Sequence, residues 1–271
     1  MTESSAPLPA VFISHGSPMH ALEAGATATG QAWTALGRRL PRPRAILIAS
    51  AHWETDHPAL TGSERPETIH DFYGFPPPLY EIRYPAPGAP QIAERARALL
   101  SAAGMQAAVD PARGLDHGAW TPLLYAYPRA DVPVVQISVQ PALGPRHHLA
   151  LGAALAPLAR EGVLIVGSGH LTHNLRELRS VRDTGVGRAQ PYVSEFQDWV
   201  RDCIEAHELE RLADYRRLTP HGARAHPSEE HFLPLFVAAG AAPAGYRAER
   251  LVGHVEGGVL AMDAWLFGAA G

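Results

Sequence analysis

Pro9-Ala-Val-Phe-Ile-Ser-His15-Gly-Ser-Pro18 is the stretch whose reading decides the fold. The apolar run Ala10 to Ile13 reads as a buried strand, and Gly16 and Pro18 force a turn directly after His15. The pattern recurs at Ala45-Ile-Leu-Ile-Ala-Ser50-Ala-His52-Trp53, and again at Gly162-Val-Leu-Ile-Val-Gly167-Ser-Gly-His170-Leu-Thr-His173. Three apolar strands thus each end in a small-residue turn carrying histidine. In an open α/β sheet, ligands bind outside the carboxyl ends of the strands. If these strands are parallel neighbours, His15, His52 and one of His170 or His173 converge on one crevice. Converging imidazoles point to a metal.

Working outward, helical and extended patterns alternate. Thr29 to Leu40 carries Trp33, Leu36 and Leu40 at helical spacing and stops at Pro41-Arg-Pro43. Met19 to Glu23 reads as a short helix. Ala89 to Ala103, Ala119 to Tyr127, Pro145 to Arg160 and Tyr192 to Ala206 read as helices, and Pro133 to Val139 as a buried strand. Arg179 to Arg188 and Pro220 to Pro227 read as loops. Ser228 is the expected N-cap of a helix Glu229 to Ala239, with Gly240 just past its end. The first eight residues are expected to be a flexible lead-in. Nothing divides the chain, so the expectation is one α/β domain over 1–271, with a mostly parallel sheet and helices on both faces.

Composition narrows the function. A 271-residue chain with 46% hydrophobic and 18% charged residues is an ordinary globular protein able to bury a large core. Its net charge of −4, with charges scattered, argues against nucleic-acid and membrane partners. A lone cysteine, Cys203, excludes an intrachain disulfide and a Cys-rich zinc site. With no secretory signal in sight, the expected compartment is the cytoplasm. No run approaches the roughly 18 apolar residues of a membrane span.

The fifteen histidines are not equivalent. His57, His147, His148, His207 and His221 have ordinary surface or core contexts. His15 and His52 stand just past strand ends beside glycine or serine. His173 follows Gly167-Ser-Gly169, where glycines allow close approach of a ligand. His117, in Asp116-His117-Gly118, opens a helix, where the helix N-terminus favours the neutral ring. His231 lies in Pro227-Ser-Glu-Glu230-His231, with His226 and Glu230 as rivals, since a carboxylate would complete a two-His-one-carboxylate set. The long stretch Pro58 to Gly88 gathers Phe72, Tyr73, Phe75, Tyr80 and Tyr84. It reads either as a lid over a pocket or as an extended segment packing aromatics on the core. No dinucleotide fingerprint, phosphate loop, nucleophile elbow or His-Glu-x-x-His helix occurs.

Phe12-Ile-Ser-His15-Gly-Ser-Pro18, Ser50-Ala-His52-Trp53, Leu115-Asp-His117-Gly-Ala-Trp120, His173-Asn174-Leu175 and Glu230-His231-Phe-Leu-Pro-Leu235 together resemble the DODA-type extradiol aromatic ring-opening dioxygenases. This is the DOPA 4,5-dioxygenase-like branch of the class III extradiol enzymes, and the resemblance runs from about Val11 to Phe267. It implies one divalent metal per chain at the strand ends, Fe(II) for ring cleavage or Zn(II) as bound metal. It implies His15, His52 and His231 as ligands, His173 as the catalytic histidine and a candidate fourth ligand, and His117 as a second active-site histidine. Class III relatives with two His and one Glu keep Glu230 in contention, and His226 is the other alternative. The implied substrates are a catechol-type aromatic, DOPA-like compounds included, and dioxygen. The competing readings are a zinc hydrolase on the same constellation and a non-catalytic binding protein of the same superfamily.

Overall fold

The computed structural model describes residues 7–23, 25–184 and 188–269, with only the backbone for 180–184. Its strands are β1 (Ala10–Ser14), β2 (Ala45–Glu54), β3 (Ala59–Thr61), β4 (Ala108–Asp110), β5 (Val134–Val139), β6 (Val163–Gly169), β7 (Arg247–Val252), β8 (Val255–Glu256), β9 (Leu260–Ala261) and β10 (Ala264–Gly268). Eight of them form one sheet in the order β4-β3-β5-β2-β6-β1-β10-β7, while β8 and β9 make a small separate pair. The central strands β5, β2, β6 and β1 are mutually parallel; β10 pairs antiparallel with β1 and with β7, and β3 antiparallel with β5.

The sheet is covered on both faces, as its near-continuous apolar strands require. Alternate residues point to opposite faces. Ala10, Phe12, Leu47, Val135 and Ile165 pack against the helices Pro90–Ala102, Gly144–Leu155, Pro191–Glu205 and Leu233–Gly240. Val11, Ile13, Ile46, Ile48 and Val166 pack against Ala28–Arg39 and His117–Ala126. The chain is therefore a single α/β domain with a mostly parallel central sheet. Cys203 is a buried core residue. No helix among the described residues is long and apolar enough to cross a membrane.

Several expected boundaries move, each for a local reason. Arg179 to Arg188 is not simply a loop: the helix Leu175–Thr184 occupies its first half, and 185–187 lie outside the described residues. Pro145 to Arg160 divides at Ala156 into Gly144–Leu155 and Pro157–Arg160, because Pro157 has no N–H for the helical ladder. The Pro220 to Pro227 loop contains the helical turn Gly222–Ala225. The helix expected from Glu229 begins at Leu233 and includes Gly240. Ser228 does not cap it: the Ser228 hydroxyl donates to Glu230 Oε1 at 3.0 Å, and Pro234, tolerated in a first turn, marks the real start. Of the eight-residue lead-in, 1–6 lie outside the described residues. Leu8 is fixed, its N–H donating to the Ala159 carbonyl at 3.2 Å.

Candidate metal centre

Strand register assembles the site. Along β6, Ser168 lies opposite Ser50 of β2 and Gly169 opposite Ser14 of β1, so β1 and β6 end together beside Ser50 while β2 runs on to Glu54. His15 follows β1 directly, and its N–H donates to the Gly169 carbonyl at 2.9 Å. His52 stands inside the last turn-free residues of β2, where pairing with β5 shifts register between Ala49 and Glu54. His170 follows β6. Gly167 and Gly169 belong to β6 itself rather than to a flexible turn. What approaches them is the protein's own backbone: a Cβ at Gly169 would collide with the His231 carbonyl, and one at Gly167 with the Pro234 carbonyl. The His170 N–H then holds the His231 carbonyl at 2.7 Å. This contact brings His231, about 60 residues further along the chain, to the same edge.

His15, His52, His117, His170, His173 and His231 line one cleft of about 550 Å³, together with Asp71, Phe72 and Phe75. The ring of His15 lies 4.9 Å from that of His52, 5.4 Å from that of His117 and 5.4 Å from that of His231. His173 stacks on His231 with ring centres 3.5 Å apart and planes at 14°. Phe72 is buried in the core and, with Phe75, also lines the cleft, so the aromatic stretch is both core packing and pocket wall. Tyr73, at the tip between them, is 90% exposed and covers nothing.

Hydrogen bonds decide which ring nitrogens are free. The Ser168 hydroxyl donates to the Gly118 carbonyl, so at 3.1 Å its oxygen accepts from His15 Nδ1–H. Carboxylates only accept. His231 Nδ1–H therefore donates to Glu230 Oε1 at 2.8 Å, and His117 Nδ1–H to Asp71 Oδ2 at 2.9 Å. His52 Nδ1 lies 3.3 Å from the same Asp71 oxygen, an ion-pair distance rather than a hydrogen bond. In His15, His117 and His231, Nε2 is left as the lone-pair nitrogen. His170 differs: its Nε2 already accepts the Gly16 N–H at 3.0 Å, so that nitrogen is spent on the backbone. Burial, reinforced by neighbouring imidazoles, holds His15, His52, His170 and His231 well below the ordinary histidine pKa and lowers His173 to about 4. All five rings are neutral at pH 7. Burial would raise Asp71, but its bonds to His117 and the nearby His52 hold it at about 2.

These donors fit a metal ion. His15 Nε2 and His52 Nε2 face each other at 3.0 Å, close to the separation of two nitrogens that share an ion at bonds of about 2.1 Å. His231 Nε2 is buried without a hydrogen-bond partner, an arrangement that an unfilled lone pair does not sustain cheaply. Among the described residues, two sets of donor atoms converge within 4.8 Å, His15-His52-His117 and His173-Glu230-His231. His226 joins neither. It is buried on Phe232, with rings 4.6 Å apart, and its Nε2–H donates to the Leu171 carbonyl at 2.8 Å. His148 is satisfied in the core by Gly144 and Gln140, and His57 and His207 are exposed.

Sequence reasoning missed the anchors Ser168 and Asp71. Ser168 sits within the β6 motif, and Asp71 begins the aromatic run of the long loop, but spacing alone does not show that either meets an imidazole. It also placed Glu230 and His231 on a helix that would turn them apart. In the turn that precedes Leu233 the two side chains instead bond each other.

Comparison with known proteins finds relatives over most of the chain. The family described as the catalytic LigB subunit of aromatic ring-opening dioxygenase matches residues 9–257. The chain is 42% identical over 261 residues to a 4,5-DOPA dioxygenase extradiol of Beta vulgaris, covering 94% of this chain and 95% of that one. It is 40% identical over 245 residues to a 4,5-DOPA dioxygenase extradiol of Escherichia coli K12, covering 88% and 86%. A crystal structure described as an uncharacterized protein from Escherichia coli K12 superposes with a TM-score of 0.80 at 32% identity, covering 96% of this chain and all of that one.

Proposed function

We propose how this chain, which belongs to the LigB family of metal-dependent extradiol ring-opening dioxygenases, divides the work: His15, His52 and His231 hold one divalent metal, and His173 and His117 move protons. The whole chain serves as one catalytic domain. The observation that carries the ligand set is the sealed, unpartnered Nε2 of His231 beside the facing Nε2 atoms of His15 and His52. His117 also keeps Nε2 free of a hydrogen bond in the same cleft, but that atom is not sealed as that of His231 is, so a substrate hydroxyl can reach it. Glu230 serves as the anchor of His231, which makes the set three imidazoles rather than two and a carboxylate.

The metal, when bound, lowers the pKa of catechol hydroxyls and, as Fe(II), makes dioxygen reactive toward the ring. An all-imidazole set suits zinc as well as iron; we assign Fe(II) to turnover. The substrate is a catechol, DOPA-like compounds included. Its ring lies against Phe72 and Phe75, which meet edge to face at 5.3 Å, with Met19, Leu175, Leu178 and Leu260 among the other lining residues. His173, neutral and stacked on His231, takes the proton of one substrate hydroxyl and returns it as the ring opens. Both oxygen atoms of dioxygen enter the product, and the carbon–carbon bond that breaks lies beside the diol.

Protein purified without oxygen or chelator, loaded with Fe(II) and given DOPA or catechol, should consume one dioxygen per ring opened. Turnover that continues under nitrogen would point to hydrolysis and overturn the reading.

A further inference from the structure

Asp71 begins the aromatic stretch that walls the cleft, and it reaches across to the start of the helix His117–Ala126. Its Oδ1 accepts the His117 backbone N–H at 2.9 Å, and its Oδ2 accepts the His117 Nδ1–H at 2.9 Å. Satisfying the helix start accounts for the backbone bond only, since the His117 N–H is one of the first helical donors that have no partner within the helix. The N-cap is Asp116, whose side chain accepts the Ala119 N–H. Asp71 therefore makes an additional contact, directed at one ring. A neutral imidazole carries one proton, and the acceptor on one nitrogen decides which nitrogen is left basic. With a carboxylate on Nδ1, the basic nitrogen is Nε2, on the far side of the ring from Asp71.

The same residue joins His117 to the wall. Ile69 N–H donates to the Leu115 carbonyl at 2.7 Å, and Trp120 Nε1–H to the Ile69 carbonyl at 2.9 Å. Phe72 meets the His117 ring edge-on, with ring centres 5.6 Å apart. Loop and helix start are thus pinned on both sides of Asp71. We infer that Asp71 is a positioning residue for ring cleavage: it fixes the His117 tautomer whose Nε2 serves the substrate, and it sets the Phe72–Phe75 wall in register with that nitrogen. This rests on the reading of the cleft as a catechol site with His117 handling protons.

The test combines a spectrum with a double-mutant cycle. In Zn(II)-loaded wild-type protein, ¹⁵N NMR should find the His117 proton on Nδ1. Asp71→Asn keeps the shape but presents an NH₂ either to Nδ1 or to the backbone N–H, so one of the two bonds is lost. The proton should then appear on Nε2 in a large fraction of molecules. Because Asp71 also lies near His52, metal content is matched by loading at saturation. In the Fe(II) enzyme kcat should fall roughly 10²-fold or more, the scale of a positioned acid or base, with KM for the catechol within a few-fold. In a His117→Gln background the same substitution should cost less than about 3-fold, since neighbouring positions acting as a unit are not additive. A wild-type proton on Nε2 overturns the inference, whether or not the variants fold. So does an equal loss in both backgrounds, or an Asp71→Asn enzyme with unchanged kcat. A wild-type enzyme that opens no catechol ring defeats the functional reading instead, and the spectrum still decides the tautomer.

Discussion

Glu230→Ala should weaken metal binding without abolishing it. Glu230 Oε1 accepts the His231 Nδ1–H at 2.8 Å and the Ser228 hydroxyl at 3.0 Å, so it orients the ring and makes Nε2 more basic. Removing an outer partner of this kind costs roughly 10–100-fold in metal affinity, or about 1.4–2.8 kcal/mol. His231→Ala removes the donor nitrogen itself, one of the three proposed ligands, and its loss should lie well beyond that range. Glu230→Gln can still accept through its amide oxygen and should fall between wild type and Glu230→Ala. The measurement is competition for Zn(II) against a chelator of known affinity at pH 7, with circular dichroism melts to confirm that each variant is folded. If Glu230→Ala loses zinc as completely as His231→Ala, the carboxylate coordinates, and the centre is a two-His-one-carboxylate site. If neither substitution matters, the third ligand lies elsewhere, with His117 first because its donor atom already groups with those of His15 and His52.

Three further outcomes are expected. His15→Ala and His52→Ala should each lose most bound metal while melting as cooperative folded proteins, because the packed faces of the sheet do not depend on the ion; full occupancy in both would refute their role as ligands. His173→Gln should keep metal and bind catechol under nitrogen but turn over roughly 10²–10⁴-fold more slowly; a metal-free variant would make His173 a ligand instead. His20 lies outside the centre, with Nδ1 on Glu23 at 2.7 Å and Nε2 on Glu256 at 3.2 Å. Burial alone would lower its pKa, but the two carboxylates raise it above the ordinary value. Its stabilisation is therefore complete below about pH 6.5 and disappears as pH rises through the raised value. The melting-temperature gap between wild type and His20→Gln should be widest on the acid side of that range and close toward alkaline pH; a gap that widens with pH would contradict a charged His20.

Much of the scaffold was legible because it depends on short-range pattern. Ala10–Ser14, Ala45–Ser50 and Val163–Gly169 are apolar runs bounded by turn residues, and the amphipathic helices between them leave parallel pairing as the compact solution. Once those strands are neighbours, the convergence of His15, His52 and the His170–His173 segment follows from register. The boundaries that moved lie where side-chain chemistry competes with helix propensity. Ser228 could have capped a helix, but its hydroxyl found Glu230, and the chain stayed in a turn until Leu233.

The anchors were not legible for a different reason. A strand end fixes where a histidine stands, but the free nitrogen is chosen by a partner from another segment: Ser168 for His15, Asp71 for His117, Glu230 for His231. Only Glu230 is near its histidine in sequence; Asp71 and His117 are separated by 46 positions, Ser168 and His15 by 153. The two glycines of β6 show how such distant choices are made compatible. With side chains at 167 and 169, the backbone at His231 and Pro234 could not lie against the strand. His231 would then sit too far out to share an ion with His15. Glycine there does not loosen the site for a ligand; it admits the backbone that delivers the His231 ring, the proposed third ligand. The histidines alone suggest a metal; the proposed set of three rests on the close packing behind them, which brings His231 beside His15 and His52.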